Sequence, residues 1–258
     1  MVNYEIIANR FAPKRKDLLV EKYSASHSIC YNKCNYNCCF CDFRDRPADA
    51  YHRFDMDSFA KEVEKLLALG SNFKFTGGEP TLNPEIKSHL RIVKERGGYI
   101  YFDSNGSNPE ILKQLIEDDL IDVLGISLKG ITLEEATATA GIKNKKLLWE
   151  NVWTSIEIAS MHSSTMRTII TLIFTENNRE KRLQSFSDLL SAYPGVYMKI
   201  NNLQKNIHTV QVGMANVDQS SLLMEISDFV ENNPAWKGRV IYVPNQMGVS
   251  DYHSIKFF

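Results

Sequence analysis

Beyond residue 41 the 258-residue chain contains no cysteine. Its five, Cys30, Cys34, Cys38, Cys39 and Cys41, are confined to one short stretch. That excludes disulfides between distant segments, and adjacent Cys38 and Cys39 make a poor structural pair. Long hydrophobic runs are absent too. Ile169-Ile170-Thr171-Leu172-Ile173-Phe174 has strand length, far below the ~20 residues of a membrane-spanning helix. The N-terminus, MVNYEIIANRFAPKRKD, lacks the charged-then-apolar order of a signal peptide, so a cytoplasmic protein with no membrane partner is expected. Charge of one sign is missing as well: 30 Lys+Arg against 31 Asp+Glu leave a net −1. No global basic field exists to draw in nucleic acid, and no acidic tail is present. The one basic cluster, Lys14-Arg15-Lys16, reads as a solvated loop. With 43% hydrophobic and 24% charged residues, a disordered chain, a collagen and a small disulfide scaffold are ruled out. The length suits fewer than two typical domains and a sizeable core. There are no internal repeats or low-complexity segments.

What is present is concentrated thiol chemistry. A cluster of cytosolic cysteines points to metal or redox work. One frame through the run is C-x3-C-x2-C, using Cys34, Cys38 and Cys41. Three soft thiolates on one loop can hold three irons of a cubane cluster and leave the fourth open to an exogenous ligand. Zinc is the rival. A structural zinc site takes four protein ligands, usually as two separated pairs; no second pair exists, although His27 or Cys30 could complete a site locally. On the residues alone a non-catalytic zinc-binding module stays open. Cys30 and Cys39 read as spare thiols.

The remaining chain alternates strand and helix patterns. Strands are predicted at Tyr23–Cys30, Phe73–Thr76, Tyr99–Asp103, Asp122–Leu128, Arg167–Phe174 and Val196–Ile200. Helices are predicted near Ser58–Leu69, from about Pro84 with Asn83 as cap, from Asn108-Pro109, near Lys146–Met161 and near Arg179–Ala192. In the first helix Phe59, Val63, Leu66 and Leu67 fall on one face, and Gly70 ends it. Six such units predict an α/β fold, a partial (β/α)6 TIM-like barrel of parallel strands. The domain reading is an N-terminal extension over 1–22, a core over 23–205, and a C-terminal extension over 206–258 packing on the core, with a helix near Ser220–Asn232 and a strand at Arg239–Val243. The polar motifs fall just after strands, on the carboxyl rim where β/α barrels place their chemistry. They are the cysteine loop, Thr76-Gly77-Gly78-Glu79-Pro80, Asp103-Ser104-Asn105-Gly106 and Ser127-Leu128-Lys129-Gly130. Arg167 instead opens its strand.

The C-x3-C-x2-C loop, with Phe40 before its last cysteine and Gly77-Gly78-Glu79-Pro80 about 35 residues on, resembles the radical S-adenosylmethionine (SAM) superfamily. The Asp103-Ser104-Asn105-Gly106-Ser107-Asn108-Pro109 stretch, with Ile121-Asp122 and Ser127-Leu128-Lys129, is most similar to the glycyl-radical-enzyme activases, in particular the activating proteins of anaerobic ribonucleotide reductase. The similarity covers roughly residues 23–205. The resemblance implies that Cys34, Cys38 and Cys41 hold a [4Fe-4S] cluster and that SAM chelates its open iron. Reductive cleavage then gives methionine and a 5′-deoxyadenosyl radical that removes a hydrogen atom from the substrate. It further implies SAM contacts from Gly77, Gly78 and Glu79, or the carbonyls beside it, from Asp103, Ser104 and Asn105, and from Lys129 at the SAM carboxylate. Phe40 is expected near the adenine and Arg167 at the ribose or carboxylate. The implied partners are an electron donor such as flavodoxin or ferredoxin, and a substrate that is a glycyl radical enzyme, a peptide or a small metabolite, including carboxy-deazaguanine synthase-like chemistry.

Three departures fall where specificity would be set. The activase pattern has an aspartate two residues before the lysine that helps bind a monovalent cation; here Ser127 stands there. Asp42-Phe43-Arg44-Asp45 replaces the usual His-Asn after the last cysteine, and Leu203-Gln204-Lys205-Asn206-Ile207-His208 only echoes a late Leu-Pro-Tyr-His type segment. Absence of cysteine after Cys41 also excludes a second Cys-ligated cluster, which peptide-modifying relatives often carry.

Overall fold

Alternating apolar patterns become strands and helices that share one sheet. The computed structural model describes residues 4–7, 27–41, 43–45, 47, 51–52, 54–179, 181–203, 207–244 and 256–258. Among the described residues nine strands lie in sequence order: β1 (Tyr4–Ile7), β2 (His27–Tyr31), β3 (Asn72–Gly77), β4 (Tyr99–Ser104), β5 (Val123–Ser127), β6 (Arg167–Phe174), β7 (Tyr197–Asn202), β8 (Val240–Val243) and β9 (Lys256–Phe257). Strands β2 to β8 run parallel. Short antiparallel strands β1 and β9 flank the two ends. The sheet does not close on itself: β1 and β9 are its two edges. This is the predicted partial barrel of six β/α units, and β8 adds a seventh parallel strand, so the tail shares the core's sheet. The predicted strand residues 23–26, the Lys14-Arg15-Lys16 cluster and residues 204–206 lie outside the described residues.

The helices are α1 (Met56–Leu69), α2 (Ile86–Glu95), α3 (Pro109–Glu117), α4 (Leu133–Ala140), α5 (Asn151–Met161), α6 (Arg182–Leu190), α7 (Ile207–Gln211) and α8 (Gln219–Asn232). Helix α1 starts because the Asp55 carboxylate accepts from the Ser58 N–H at 2.7 Å. It stops where the Gly70 N–H closes onto the Leu66 carbonyl. Its buried face is Phe59, Val63 and Leu66, each worth about 1.5–3 kcal/mol for full burial. The Lys146–Met161 prediction resolves into a π turn over Lys146–Glu150 leading into α5. Sequence patterning missed α4, whose Thr/Ala-rich face has little apolar contrast. The start signal was there: Thr132 caps the Glu135 N–H at 3.1 Å, with Glu in the third helical position.

The sheet's two faces differ. The outer face packs on the helices through Ile29, Phe73, Phe102, Leu124, Ile170 and Met198 in one large core. On the inner face, Tyr101, Val123, Ile169, Ile241 and Val243 form a second apolar cluster. Among the described residues no helix is long and apolar enough to cross a membrane.

Candidate active site: the cysteine loop and the carboxyl rim

The cysteine loop leaves the carboxyl end of β2 and is pinned by the residues that follow β3. The Gly78 N–H donates to the Tyr31 carbonyl and the Glu79 N–H to the Lys33 carbonyl, each at 2.6 Å. The two glycines make that contact possible. Gly77 has φ +100°, and a Cβ there would sit 2.4 Å from the Tyr31 nitrogen; a Cβ on Gly78 would sit 2.1 Å from the Lys33 carbonyl oxygen. The close approach expected toward a ligand is therefore, on this side, an approach to the chain's own backbone.

Glu79 is 1% exposed, and its carboxylate is filled by the protein. One oxygen accepts from the Thr81 N–H at 3.2 Å, the Thr81 hydroxyl at 2.7 Å and the Ser104 hydroxyl at 2.9 Å. The other accepts from the Asn105 N–H at 2.6 Å. Burial pushes Glu79 up, against the pull of those donors. The side chains of Glu79 and Ser104, which the resemblance expects near SAM, are both buried and bonded to each other. Asn105 carries the clamp onward. Its amide donates to Asn35 at 2.8 Å and lies 3.9 Å from the Cys34 sulfur, while Asn35 donates to the Ser107 hydroxyl at 2.8 Å. On the far side of the loop, the Asn37 N–H donates to Ala140 at 2.8 Å and the Cys39 N–H to Thr139 at 3.1 Å. Helix α4 thus closes the loop from the side opposite Glu79.

The thiols divide into two groups. Burial pushes Cys38 up to about 12 and also raises Cys34, the most exposed of the three motif cysteines. Both feel the negative charge of Cys41, and Lys129 pulls both down. Lys129 also lies over the Phe40 ring, 5.5 Å from its centroid. Cys39 points elsewhere, with its thiol 3.7 Å from the Met214 sulfur, and Cys30 is buried within β2 opposite Thr76. His27 is a strand histidine bonded to the Gly70 carbonyl at 3.1 Å, under the Phe73 ring; the side chain of His208 lies outside the described residues.

Beside Phe40 and Lys129 lies a narrow, nearly filled cleft, lined also by Thr139, Thr175, Arg182 and Met214. Arg182, missed from the sequence because it reads as a surface charge at a helix start, is 2% exposed there. It pairs with Glu135 at 2.7 Å and donates to the Ile173 carbonyl at 3.1 Å. Burial pulls its guanidinium down.

Two of the predicted residues lie apart from this group. Asp103 faces inward and pairs with Lys74 at 2.9 Å. Arg167 is the first residue of β6 and hydrogen-bonds Tyr99. It pairs in register with Val123, four residues before the Thr171 that pairs with Ser127 at the end of β5, which puts it about 13 Å below that level at ~3.3 Å per residue.

Do the residues suit an iron–sulfur cube? Among the described residues no three His, Cys, Asp or Glu side chains stand close enough together to share one metal ion. A cube instead takes each thiolate on a different iron. Three mutually sensing thiols on one clamped loop, with a cation facing them, match that requirement.

An open, mostly parallel α/β sheet with such a loop after its first parallel strand sets the thiols at the carboxyl rim, where β/α barrels carry their chemistry. The Radical SAM superfamily model matches residues 28–188, and the chain belongs to that superfamily, whose members use SAM and an iron–sulfur cluster. A putative glycyl-radical enzyme activating enzyme of Methanocaldococcus jannaschii is 29% identical over 106 residues, 41% of this chain and 43% of that one. An S-adenosylmethionine-dependent nucleotide dehydratase of a Thermoplasmatales archaeon is 28% identical over 195 residues, 66% of this chain and 64% of that one. The matches to the first curated relatives span less than half of their length, 43% and 44%. Among solved structures, TYW1 with a lysine-pyruvate adduct shares the fold at TM-score 0.55 and 18% identity, covering 86% of this chain and 80% of that one.

Proposed function

We propose that this enzyme holds a [4Fe-4S] cluster on Cys34, Cys38 and Cys41, binds SAM at its open iron, and takes a hydrogen atom from its substrate. When bound, the cluster would supply one electron to the sulfonium of SAM, releasing methionine and a 5′-deoxyadenosyl radical. The observation that carries the reading is the clamped loop itself, with two motif thiols under the influence of Lys129 and the third close enough to sense. Lys129 is placed to balance thiolate charge and to meet the SAM carboxylate. Phe40 offers an apolar face beside it. Gly77, Gly78, Glu79, Ser104 and Asn105 act from behind, fixing the loop so that its thiols keep one spacing. Asp103 faces the barrel interior rather than the loop.

For the substrate we infer a glycyl radical enzyme, with flavodoxin or ferredoxin as electron donor, from the resemblance to activases. A small metabolite is the second reading. It is favoured by the breadth of the match to the nucleotide dehydratase, which takes in more of this chain than the activase match does.

Anaerobic reconstitution tests the chemistry. The expected result is about four irons and four sulfides per chain, and 5′-deoxyadenosine formed from SAM under a strong reductant. Cys34→Ala, Cys38→Ala and Cys41→Ala should each lose the cluster, while Cys30→Ala and Cys39→Ala keep it. One zinc without iron, or loss of the cluster in Cys39→Ala, would overturn the assignment. Deuterium transfer from candidate substrates into 5′-deoxyadenosine then separates protein from metabolite.

A further inference from the structure

The electron that the proposed cluster consumes must come from outside it. All five cysteines lie within residues 30–41, so this sequence offers no thiols for a second cluster to relay it. The point of entry is then the cysteine loop itself. One segment, running from the end of α4 toward α5, lies directly against that loop. Gly141 packs so tightly on it that a Cβ there would sit 2.5 Å from the Asn37 carbonyl oxygen. Farther along, the Tyr36 hydroxyl donates to the Leu147 carbonyl at 2.8 Å. Ile142, Leu147 and Leu148 join Tyr36, Cys38 and Cys41 in one small apolar cluster.

The outward side of the same segment is basic. Residues 136–149 hold three lysines and no acidic residue, and Lys143, Lys145 and Lys146 are all exposed. Lys145 pairs with Glu150 at 3.3 Å. Among the described residues the side chains of Lys143 and Lys146 form no ion pair. Aromatic rings lie beside them. Half-buried Trp149 meets Trp153 edge-on at 5.5 Å, and Trp153 stacks on Tyr193 at 5.9 Å. Tryptophan and tyrosine with charge at the rim is the composition of protein interfaces. A surface lysine run is usually only solvated. This one is set apart by its backing, because the backbone that carries it is the backbone that touches Tyr36 and Asn37. It also enters a π turn at Lys146, a geometry found mostly at functional sites.

We propose that Lys143, Lys145, Lys146 and Trp149 form the docking surface for the electron donor, a small one-electron carrier protein with an acidic face around its redox group. The proposal rests on the radical SAM reading and gives its reductant a landing place. One electron would leave the carrier, which is oxidised, and enter the cluster, which is reduced; no bond is made or broken. Opposite charge speeds encounter and fixes orientation more than it raises affinity. That suits a carrier which must depart after each electron. Nucleic acid also favours lysines beside aromatic rings. Contact with the thiol loop serves an electron carrier and gives a nucleic acid nothing, and a chain of net charge −1 has no wider basic field to follow a phosphate backbone.

The test follows anaerobic reduction of the reconstituted cluster by fully reduced flavodoxin in a stopped-flow instrument, with calorimetric titration of oxidised flavodoxin into the same enzyme. Wild type is compared with the charge-reversed Lys143→Glu/Lys146→Glu. At low salt the reversal should slow reduction and weaken binding, each by at least about tenfold. Added salt should slow the wild-type reaction steeply and the variant's little. Dithionite, a small reductant that needs no docking surface, should reduce both at one rate, with equal iron content. Should the reversed variant reconstitute poorly, Lys143→Gln/Lys146→Gln, which only removes charge, should slow the flavodoxin reaction by about threefold or more. Equal flavodoxin rates in wild type and variant, no reaction of wild type with flavodoxin, or the same slowing with dithionite overturns the proposal. So does lysine-dependent binding of a single-stranded RNA tighter than that of flavodoxin. Absence of iron, or a cluster that dithionite cannot reduce, would count against the radical SAM reading, while the flavodoxin titration still reports on the docking surface.

Discussion

Glu79 and Lys199 are both ionisable side chains buried in the same scaffold, and the fold treats them in opposite ways. Glu79 is surrounded by four donors from its own chain, from Thr81, Ser104 and Asn105. Lys199 sits beside a hydroxyl and an amide oxygen that nothing completes, and burial alone pulls it down to about 7. A carboxylate whose hydrogen bonds are all internal is scaffold. A lysine that burial drives toward its neutral form is carried at a cost to the fold. The motif-bearing half of the rim is thus held by internal hydrogen bonds, and the β6–β7 interior bears a burial penalty.

The largest effect should come from breaking the built half. Glu79→Ala leaves the Ser104 and Thr81 hydroxyls and the Asn105 N–H buried without an acceptor. It should cost about 3–5 kcal/mol by denaturant unfolding. Because Asn105 ties Glu79 to Asn35 and Cys34, reconstituted iron should fall with it. Glu79→Gln keeps the volume but turns an N–H toward one of the four donors, and should cost about 1–3 kcal/mol. If Glu79→Ala were as stable as wild type, the carboxylate would not be the clamp.

The β6–β7 interior should answer with the opposite sign. The folded pKa of Lys199 lies below its unfolded value, so between pH 7 and about 10 the unfolded chain holds more protons at this site and stability rises with pH. Below pH 7 the burial penalty is fully present; as pH rises toward the unfolded value it is relieved. Lys199→Met removes the penalty. It should be more stable than wild type at pH 7 by roughly 3 kcal/mol, with the difference fading as pH approaches 10. Unfolding the pair across this range checks both size and direction. A variant less stable at pH 7 would mean that the contacts Lys199 makes outweigh its burial penalty.

How much of this was legible beforehand follows from range. The cysteine frame, the Gly77-Gly78-Glu79 run and six strands depend on residues close in sequence, so spacing and periodicity reveal them. The partner of Glu79 does not: the Asn105 N–H arrives from the turn after the next strand, and only the folded register brings it there. Arg182 and Glu135 look like ordinary helix-end charges and become a buried pair only when α4 and α6 meet at the cleft. Lys199 and Thr171 were invisible as a pair because register between β6 and β7 decides what faces what. The short β1 and β9 carry too few residues to show a pattern.

The smallest effect is expected at the other end of the barrel, and it sharpens the comparison by asking whether distance along a strand decides function. Arg167 opens β6 and bonds Tyr99, while Lys129 lies on the loop after β5 with Phe40 and the motif thiols. Both are cations on adjoining segments, so composition alone cannot rank them. Position ranks them: parallel strands carry their chemistry at the carboxyl ends, and Arg167 is the first residue of β6, four residues before the register pair of Ser127. Arg167→Gln should therefore change stability by less than about 1 kcal/mol and leave the KM for SAM within about twofold. Lys129→Met, losing a charge-assisted contact worth about 1.5–3 kcal/mol, should weaken SAM binding about tenfold or more. Equilibrium binding of SAM to both reconstituted variants decides it. If Arg167→Gln weakened SAM as much as Lys129→Met, the ligand would reach through the barrel, and a site confined to the rim would be the wrong description.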